Sequence, residues 1–499
     1  MKHVFEFSIN KDVQAVQTAS FEVPSCYPAI SICHNIPNRP ALVVNMVIED
    51  SKRRVRFQKQ LGYSESLIGL GAHNEETTIG GIPGVIEPGI WTVRIYVATE
   101  YVRKYMPEGT VSFVLIITDG AAKLTEHLGE EVWADLDFAY TGYDYEKVYK
   151  CGRSWYKGDF HAHTRLSDGK DSPERVMEKA HLMNLDFYTA TEHNVMHTGW
   201  PKTDVLTLPG VEITTPFGHA NLFGLRERPA FIEDVMRADS REEFFKVWDN
   251  VAHWCEEKEA LFSINHPFLY LWKWEYMPLP LNKVSCLEIV NDPTYGAVEK
   301  AHAKEANQLA IRMSDLLWAD GYRICAIGGS DSHNHLNEYY DGATEPSIAG
   351  DPATWLPMEW LSAQNICDHL KKCHACVTRY VDALKLELYA DDKRLFPGDR
   401  MDERVRSVRW QIMLKSIRCI PYLFAWINGK RVELSLHTED GACYMGAGEL
   451  ELPEEEYSWI RFGAESERGG FMMYANPVTK GTRQHELITF GDVKDRLGI

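Results

Sequence analysis

The chain has 499 residues, 44% of them hydrophobic and 25% charged. That balance is ordinary for globular proteins, and the length exceeds what one core supports, so two or three domains are expected. Lys and Arg number 53 against 72 Asp and Glu, a formal charge of −19, which disfavours any extended nucleic-acid surface.

Residues 1–145 read as a β-sandwich. Phe5–Ile9, Ala41–Ile48, Trp91–Val97 and Val111–Ile117 are strand-like, with turn residues such as Pro83-Gly84 and Pro88-Gly89 between them. Nothing in this segment marks a site; packing against the next domain or mediating oligomers is the role expected, and a homo-oligomer is left open. The longest apolar run, Phe113–Ile117, is too short to cross a bilayer, so no membrane partner is expected. The amino terminus lacks the apolar core of a signal peptide. Eleven Cys without regular spacing fit free thiols in a reducing compartment, and the expectation is a cytoplasmic protein.

Residues 155–380 alternate strand and helix. Gly158-Asp-Phe-His161-Ala-His163-Thr-Arg-Leu-Ser-Asp168-Gly169 places two imidazoles and a carboxylate after a short apolar run. Side chains at i and i+2 of a strand share a face, so His161 and His163 can grip one ion while Asp168 turns toward a neighbouring one. Ser172-Pro173-Glu174 is a helix start, with Pro and acid suited to the first turn, and that helix is expected to bury Val176, Ala180 and Met183. The strand Phe187–Thr191 then delivers Glu192-His193-Asn194, completing a parallel βαβ unit.

Three further strand ends follow. Val205–Leu208 leads to Glu212, with His219 seven residues on; Leu261–Ile264 leads to His266; Ile324–Gly329 leads to Asp331-Ser-His333, a second i, i+2 pair. Residues 231–259 and 295–320 read as helical. Imidazole and carboxylate are ligands that Zn, Mn and Fe share, and parallel barrels collect functional groups at the carboxyl ends of their strands. Cys373-His-Ala-Cys376 has no second Cys-x-x-Cys partner and reads as a helix-to-strand connection. Residues 381–499 form a second β-rich module, with Ala383–Tyr389, Val408–Met413 and Tyr457–Phe462 as alternating strands expected to cap the barrel.

In this order, His161-x-His163, Ser167-Asp168-Gly169, Thr191-Glu192-His193-Asn194, Gly210-Val-Glu212, Asn265-His266-Pro267 and Asp331-Ser-His333 resemble the motifs of the PHP (polymerase and histidinol phosphatase) superfamily. The flanking regions look most like its carbaryl-hydrolase-like branch. The resemblance implies a distorted (β/α)7 barrel holding two or three divalent ions (Zn, Mn or Fe). His161, His163, Glu212 and Asp331 would hold the first ion; Asp168, His193 and His333 the second; and Glu212, His219 and His266 the third, with Glu212 bridging. Many members carry Asp where this chain has Glu192.

Such ions bring the pKa of bound water near neutrality, so the reaction expected is hydrolysis of a small-molecule substrate. Glu212, Asp331, His333 and Arg165 are the residues expected to carry it. Several cations at one site suit a phosphoryl group and Arg165 could clamp a phosphate, which makes a phosphoester the first substrate class expected. Trp254, Tyr270, Trp272 and Trp274 could build an aromatic pocket, which favours a carbamate, amide or ester. Glu192, His197 and His335 are the candidates for protonating a leaving group. A metal-binding module without turnover is a third reading.

Overall fold

The computed structural model describes residues 1–38, 43–63, 66–106, 108–295 and 303–499. Near the amino terminus, alternation drives strand formation: Lys2–Ile9 turns Phe7 and Ile9 inward while its other face stays exposed. Two four-stranded antiparallel sheets result. One joins Lys2–Ile9, Val111–Asp119, Ala29–His34 and Leu67–Gly71; the other joins Val16–Val23, Gly89–Val97, Val44–Glu49 and Val55–Leu61. They share a core that includes Phe21, Ile32, Ile48, Phe57, Trp91 and Phe113. The strand expected from Ala41 begins at Val44, and residues 41–42 lie outside the described ones.

The middle region supplies β1 (Tyr156–Asp159), α1 (Pro173–Leu182), β2 (Phe187–Ala190), β3 (Leu206–Thr215) and β4 (Gly218–Phe223). It continues with α2 (Arg241–Lys258), β5 (Leu261–Ile264), β6 (Cys286–Asn291), α3 (Ala303–Ala319) and β7 (Cys325–Gly329). The strands lie side by side in chain order. Their cores are buried on both faces, as fits strands covered by helices and loops.

Pairing is parallel from β1 to β3 and from β5 to β7, whereas β4 runs antiparallel to both its neighbours. Pro216-Phe217 is too short a link for a parallel crossover, and Gly218, at φ 126°, makes the turn into β4. Beyond the strand ends, an isolated parallel bridge joins Ala162 to Ser332, and Asp331 N–H donates to the His161 carbonyl at 2.7 Å. The extensions of β1 and β7 therefore meet.

Helix α1 starts after Ser172 with Pro173 in its first turn, and buries Val176, Met177 and Ala180. Met183, expected inside, sits at its carboxyl cap and is half-buried. The helical stretch expected over 231–259 divides into Ile232–Arg237 and α2, because Ser240 caps α2 by accepting from Glu243 N–H. Of the stretch expected over 295–320, Ala303–Ala319 is helical, and residues 296–302 lie outside the described ones.

The carboxyl-terminal strands continue the same sheet. Ala353–Leu356 pairs with β1, Cys376–Thr378 pairs with Ala353–Leu356, and Phe471–Ala475 extends the sheet to Ser458–Ser466 and Pro421–Ile427. A separate five-stranded sheet carries Ala383–Ala390, Ser407–Lys415 and Cys443–Glu451. The final helix, Phe490–Leu497, returns to the middle region and buries Phe490 and Val493 in the core that includes residues of β2 to β7. Among the described residues no helix is long and apolar enough to cross a membrane.

Candidate metal centre

The extended backbone beyond β1 presents His161 and His163 together, pinned on one side by the Ser332 bridge and on the other by Thr191 N–H on the Ala162 carbonyl at 3.0 Å. Buried Asp159 fixes the start of this segment by accepting from His161 N–H and Ser330 N–H, both at 3.1 Å. Gly329 permits the close approach of β7, since a Cβ there would lie 2.3 Å from the His161 Cβ and 2.3 Å from Glu288 Oε1. His266 (φ 27°), Asp331 (φ 50°) and Asn194 (φ 56°), beside His193, occupy left-handed backbone. Such conformations are unfavourable for residues with a Cβ and concentrate at functional sites.

All nine expected ligands converge. Around Glu212 Oε1 stand His161 Nε2 at 3.3 Å, His219 Nδ1 at 3.2 Å and His266 Nε2 at 3.5 Å. Asp331 Oδ1 lies 3.2 Å from His161 Nε2 and 3.0 Å from His163 Nε2. Asp168 Oδ1 lies 3.4 Å from His193 Nε2 and 3.3 Å from His333 Nε2. Among the described residues, four sets of donors are close enough to share an ion: His163 with Asp168, His193 and His333; His161 with His163 and Glu212; His193 with Glu212 and His219; and His161 with His266 and Glu288.

These donors fit divalent cations. Ligands about 2.1 Å from one tetrahedral ion lie roughly 3.4 Å from each other, longer than most hydrogen bonds and close to most of the separations above. His161 Nε2, Asp168 Oδ1, His219 Nε2 and His266 Nδ1 are moreover buried without a hydrogen-bond partner. Unpaired buried polar atoms are costly, and a cation would satisfy those that border the centre.

Glu288 was absent from the sequence-based ligand set. Its Oε1 is 2.9 Å from His161 Nδ1, and its Oε2 accepts from His266 N–H at 2.7 Å and Asn291 Nδ2 at 3.1 Å. It thus aims two ligands at once, the carboxylate–histidine arrangement that orients metal-binding imidazoles. The available signal was an acid in the middle of the apolar run Cys286-Leu-Glu-Ile-Val.

Electrostatics keeps the carboxylates ionised and two of the imidazoles neutral. Burial alone would push the Glu212 carboxyl up, but His161, His219 and His193 outweigh it and hold Glu212 well below the usual carboxylate range. Burial is likewise outweighed at Asp331, by His161, His163 and His333. Burial pushes the His163 and His219 imidazoles down to about 4, so both are neutral, the ligating form. His333 is pushed the other way, to about 10, because Asp168 and Asp331 overcome its burial.

The remaining candidates fall elsewhere. Glu192 is buried and accepts from Thr164 N–H at 2.9 Å, Thr164 Oγ1 at 2.7 Å, Ser167 N–H at 3.1 Å, Ser167 Oγ, and His197 Nε2 at 2.9 Å. Despite burial, His197 and these donors hold it at about 2. It is a fixed anion that winds the Asp168 loop, not a proton donor. His197 is enclosed with it, and His335, on the protein surface, binds Asp171 at 2.6 Å.

Arg165 also corrects the expectation. Its Nε donates to the Lys170 carbonyl at 2.8 Å and its Nη1 faces Glu126 at 3.7 Å. The turn around Glu192 sends this side chain outward, so it does not line the cavity beside the ligands.

That cavity, about 340 Å³, has Asp168, His193, His219, His266, Asp331 and His333 along one end. Tyr63, Tyr96, Tyr101, Phe244, Trp272 and Tyr340 contribute to its walls, and no Lys or Arg among the described residues lines it. Val43, Asn45, Gln60, Tyr63 and residues 96–101 come from the amino-terminal sandwich, where the sequence had marked no site. Of the four expected aromatics only Trp272 lines the cavity. Trp274 packs on Trp248 at 4.6 Å, Trp254 on Phe231 at 5.5 Å, and Tyr270 is exposed.

No family model matches the chain, and no curated protein is detectably similar to it.

Proposed function

We propose that the chain is a hydrolase using two or three divalent cations, with Zn, Mn and Fe as the candidates, and that β1 to β7 form a distorted barrel of PHP type. The ordered motifs support the family reading. The observation that carries the function is that the donor cluster borders a cavity of small-molecule size. A structural metal site is closed by protein ligands, whereas a catalytic one keeps an open position, and here six donors border open space. When bound, such cations supply a hydroxide nucleophile near neutral pH and polarise the electrophile.

The chain's own residues do the rest. Glu212, Asp168 and Asp331 stay ionised among imidazoles, Glu288 and Glu192 hold the ligand segments in place, and the aromatic walls limit water around the reacting group. We assign the substrate to neutral esters, amides or carbamates, because no Lys or Arg among the described residues lines the cavity and Arg165 is turned away. Phosphoesters are the second reading, favoured by a donor set large enough for several cations.

Elemental analysis of protein never exposed to chelator is expected to give two or three ions per chain; less than about one counts against the reading. A screen of aryl esters, carbamates, anilides and phosphoesters then tests turnover. Glu212→Gln removes the charge at the middle of the cluster and is expected to cut kcat/KM by about a hundredfold or more with the fold intact. Near-normal activity in that variant would sink the assignment.

A further inference from the structure

The cavity beside the donor cluster has a charge pattern that the candidate ligands do not explain. Outside those nine residues, Glu100 is the one Asp or Glu among the described lining residues, and no Lys or Arg joins it there. Arginines are nevertheless close in the chain. Arg103 lies one helical turn after Glu100, and Arg237 and Arg241 stand to either side of the lining residue Ala238. Each is directed to another partner. Arg103 reaches Asp239 through both terminal nitrogens at 2.8 Å, whereas its Nη1 stands 3.6 Å from Glu100. Arg237 binds Glu233 at 3.2 Å, and Arg241 faces Glu275 at 4.0 Å and lies over the rings of Phe217 and Phe245. The half-buried carboxylate of Glu100 therefore enters the lining while the neighbouring cations stay out of it.

The remainder of the wall suits a cation as well. Trp272 and Tyr340 both pack on Tyr295, with ring centroids 6.0 and 4.9 Å apart, and so form one aromatic group. Tyr96 donates its hydroxyl to Glu233 at 2.7 Å, which leaves its ring as the part it offers the cavity. Trp and Tyr rings attract ammonium groups over their faces. We propose that the substrate carries an alkylammonium group, bound by Glu100 and the aromatic wall, while an uncharged ester, amide or carbamate carbonyl lies at the donor cluster. The neutral reacting group assigned above is retained; the charge sits on the rest of the molecule. Glu212, Asp168 and Asp331 offset much of the charge of the proposed ions, so the ammonium meets little repulsion from them. The net charge of −19 draws such a substrate toward the protein, and a cavity of about 340 Å³ is of small-molecule size.

The proposal rests on the hydrolase reading, but its first test does not need turnover. Phenyltrimethylammonium is titrated into the zinc-loaded full chain and its binding measured by calorimetry. Glu100→Gln is expected to raise the dissociation constant about fivefold and Glu100→Lys at least tenfold. A dissociation constant within twofold of wild type in Glu100→Gln overturns the proposal, as does failure of the wild-type chain to bind the probe. Loss of zinc in Glu100→Gln also overturns it, because the residue would then act through the ligands.

The second test compares acetylthiocholine with its uncharged isostere, in which a tert-butyl group replaces the trimethylammonium. The wild-type chain is expected to favour the cationic ester about tenfold in kcat/KM, and Glu100→Gln to bring that ratio to about two. A wild-type ratio of one or less overturns the proposal while leaving the hydrolase reading intact. Where neither ester is turned over, phenyltrimethylammonium binding alone decides whether the cavity takes a cation. Failure of the wild-type chain on every ester, carbamate, anilide and phosphoester counts against the hydrolase reading instead.

Discussion

Two residues outside the donor set bear on how well the candidate ligands are held. Gly329 lies against His161 so closely that any Cβ must displace backbone or ligand. Gly329→Ala is therefore expected to weaken metal retention by about ten- to a hundredfold, measured by competition with a chromogenic chelator. Retention equal to wild type would show that β7 can move aside. Glu192 acts through charge: its folded pKa, about 2, is below the ordinary value of 4.5. Its stabilising contribution is therefore complete above pH 4.5 and declines as the pH falls from there toward 2. Glu192→Gln is expected to cost about 3 kcal/mol at pH 7, with the gap to wild type narrowing below pH 4.5. Denaturant midpoints across that range check it, and a gap independent of pH would mean that the carboxylate charge is not what holds the loop.

At the scale of elements, the sandwich braces the ligand loops as well as walling the cavity. Gln60 N–H donates to the Leu166 carbonyl at 3.0 Å, Gln58 Nε2 to the Met196 carbonyl at 2.9 Å, and Thr198 Oγ1 to the Gly81 carbonyl at 2.6 Å. Leu166, two residues before Asp168, is buried with Ile79 and Val195. Leu166→Ala is expected to cost roughly 3 kcal/mol and to loosen the Asp168, His193 and His333 set in particular. Metal titration should show one weakened site beside unchanged ones; a uniform loss would argue for general destabilisation instead. These contacts also explain what the sequence could reveal. The nine candidate ligands were legible because each stands in a short local motif at or just beyond an apolar strand run. The bracing was not legible, because Gln60 and Leu166 are far apart in the chain and neither is chemically unusual. Glu288 reads as a strand interior until His161 and His266 are placed on either side of it. The outward course of Arg165 depends on a turn wound around Glu192, which no spacing rule encodes. The β3–β4 hairpin had its signal in Pro216-Phe217-Gly218, but the parallel pattern of the neighbouring strands obscured it.

Over the whole molecule, the net charge of −19 and a centre that gathers Glu212, Asp331, Asp168 and Glu288 are expected to make the fold sensitive to the proposed cations. Ions that bind only the folded chain stabilise it by RT ln(1 + [L]/Kd), about 4 kcal/mol when free metal is a thousandfold above Kd. For a region of this size that corresponds to roughly 5 to 15 °C in melting temperature. The effect should not be uniform. The sheet that carries the ligands continues through Cys376–Thr378 into Phe471–Ala475, and the last helix packs back beside the ligand strands, so the middle and carboxyl-terminal regions should lose stability together. The amino-terminal sandwich has a core of its own and meets the centre through a limited set of residues such as Asn45, Gln60, Tyr96 and Tyr101, which leaves it able to melt as a separate step. Calorimetry of the full chain with and without EDTA is therefore expected to show the larger transition moving down and the smaller one staying nearly fixed, with zinc restoring the first. If both transitions shift equally, the sandwich is not an independent unit and its bracing of the ligand loops extends to its whole fold. If neither moves, the donor cluster does not bind cations tightly enough to support the proposed chemistry.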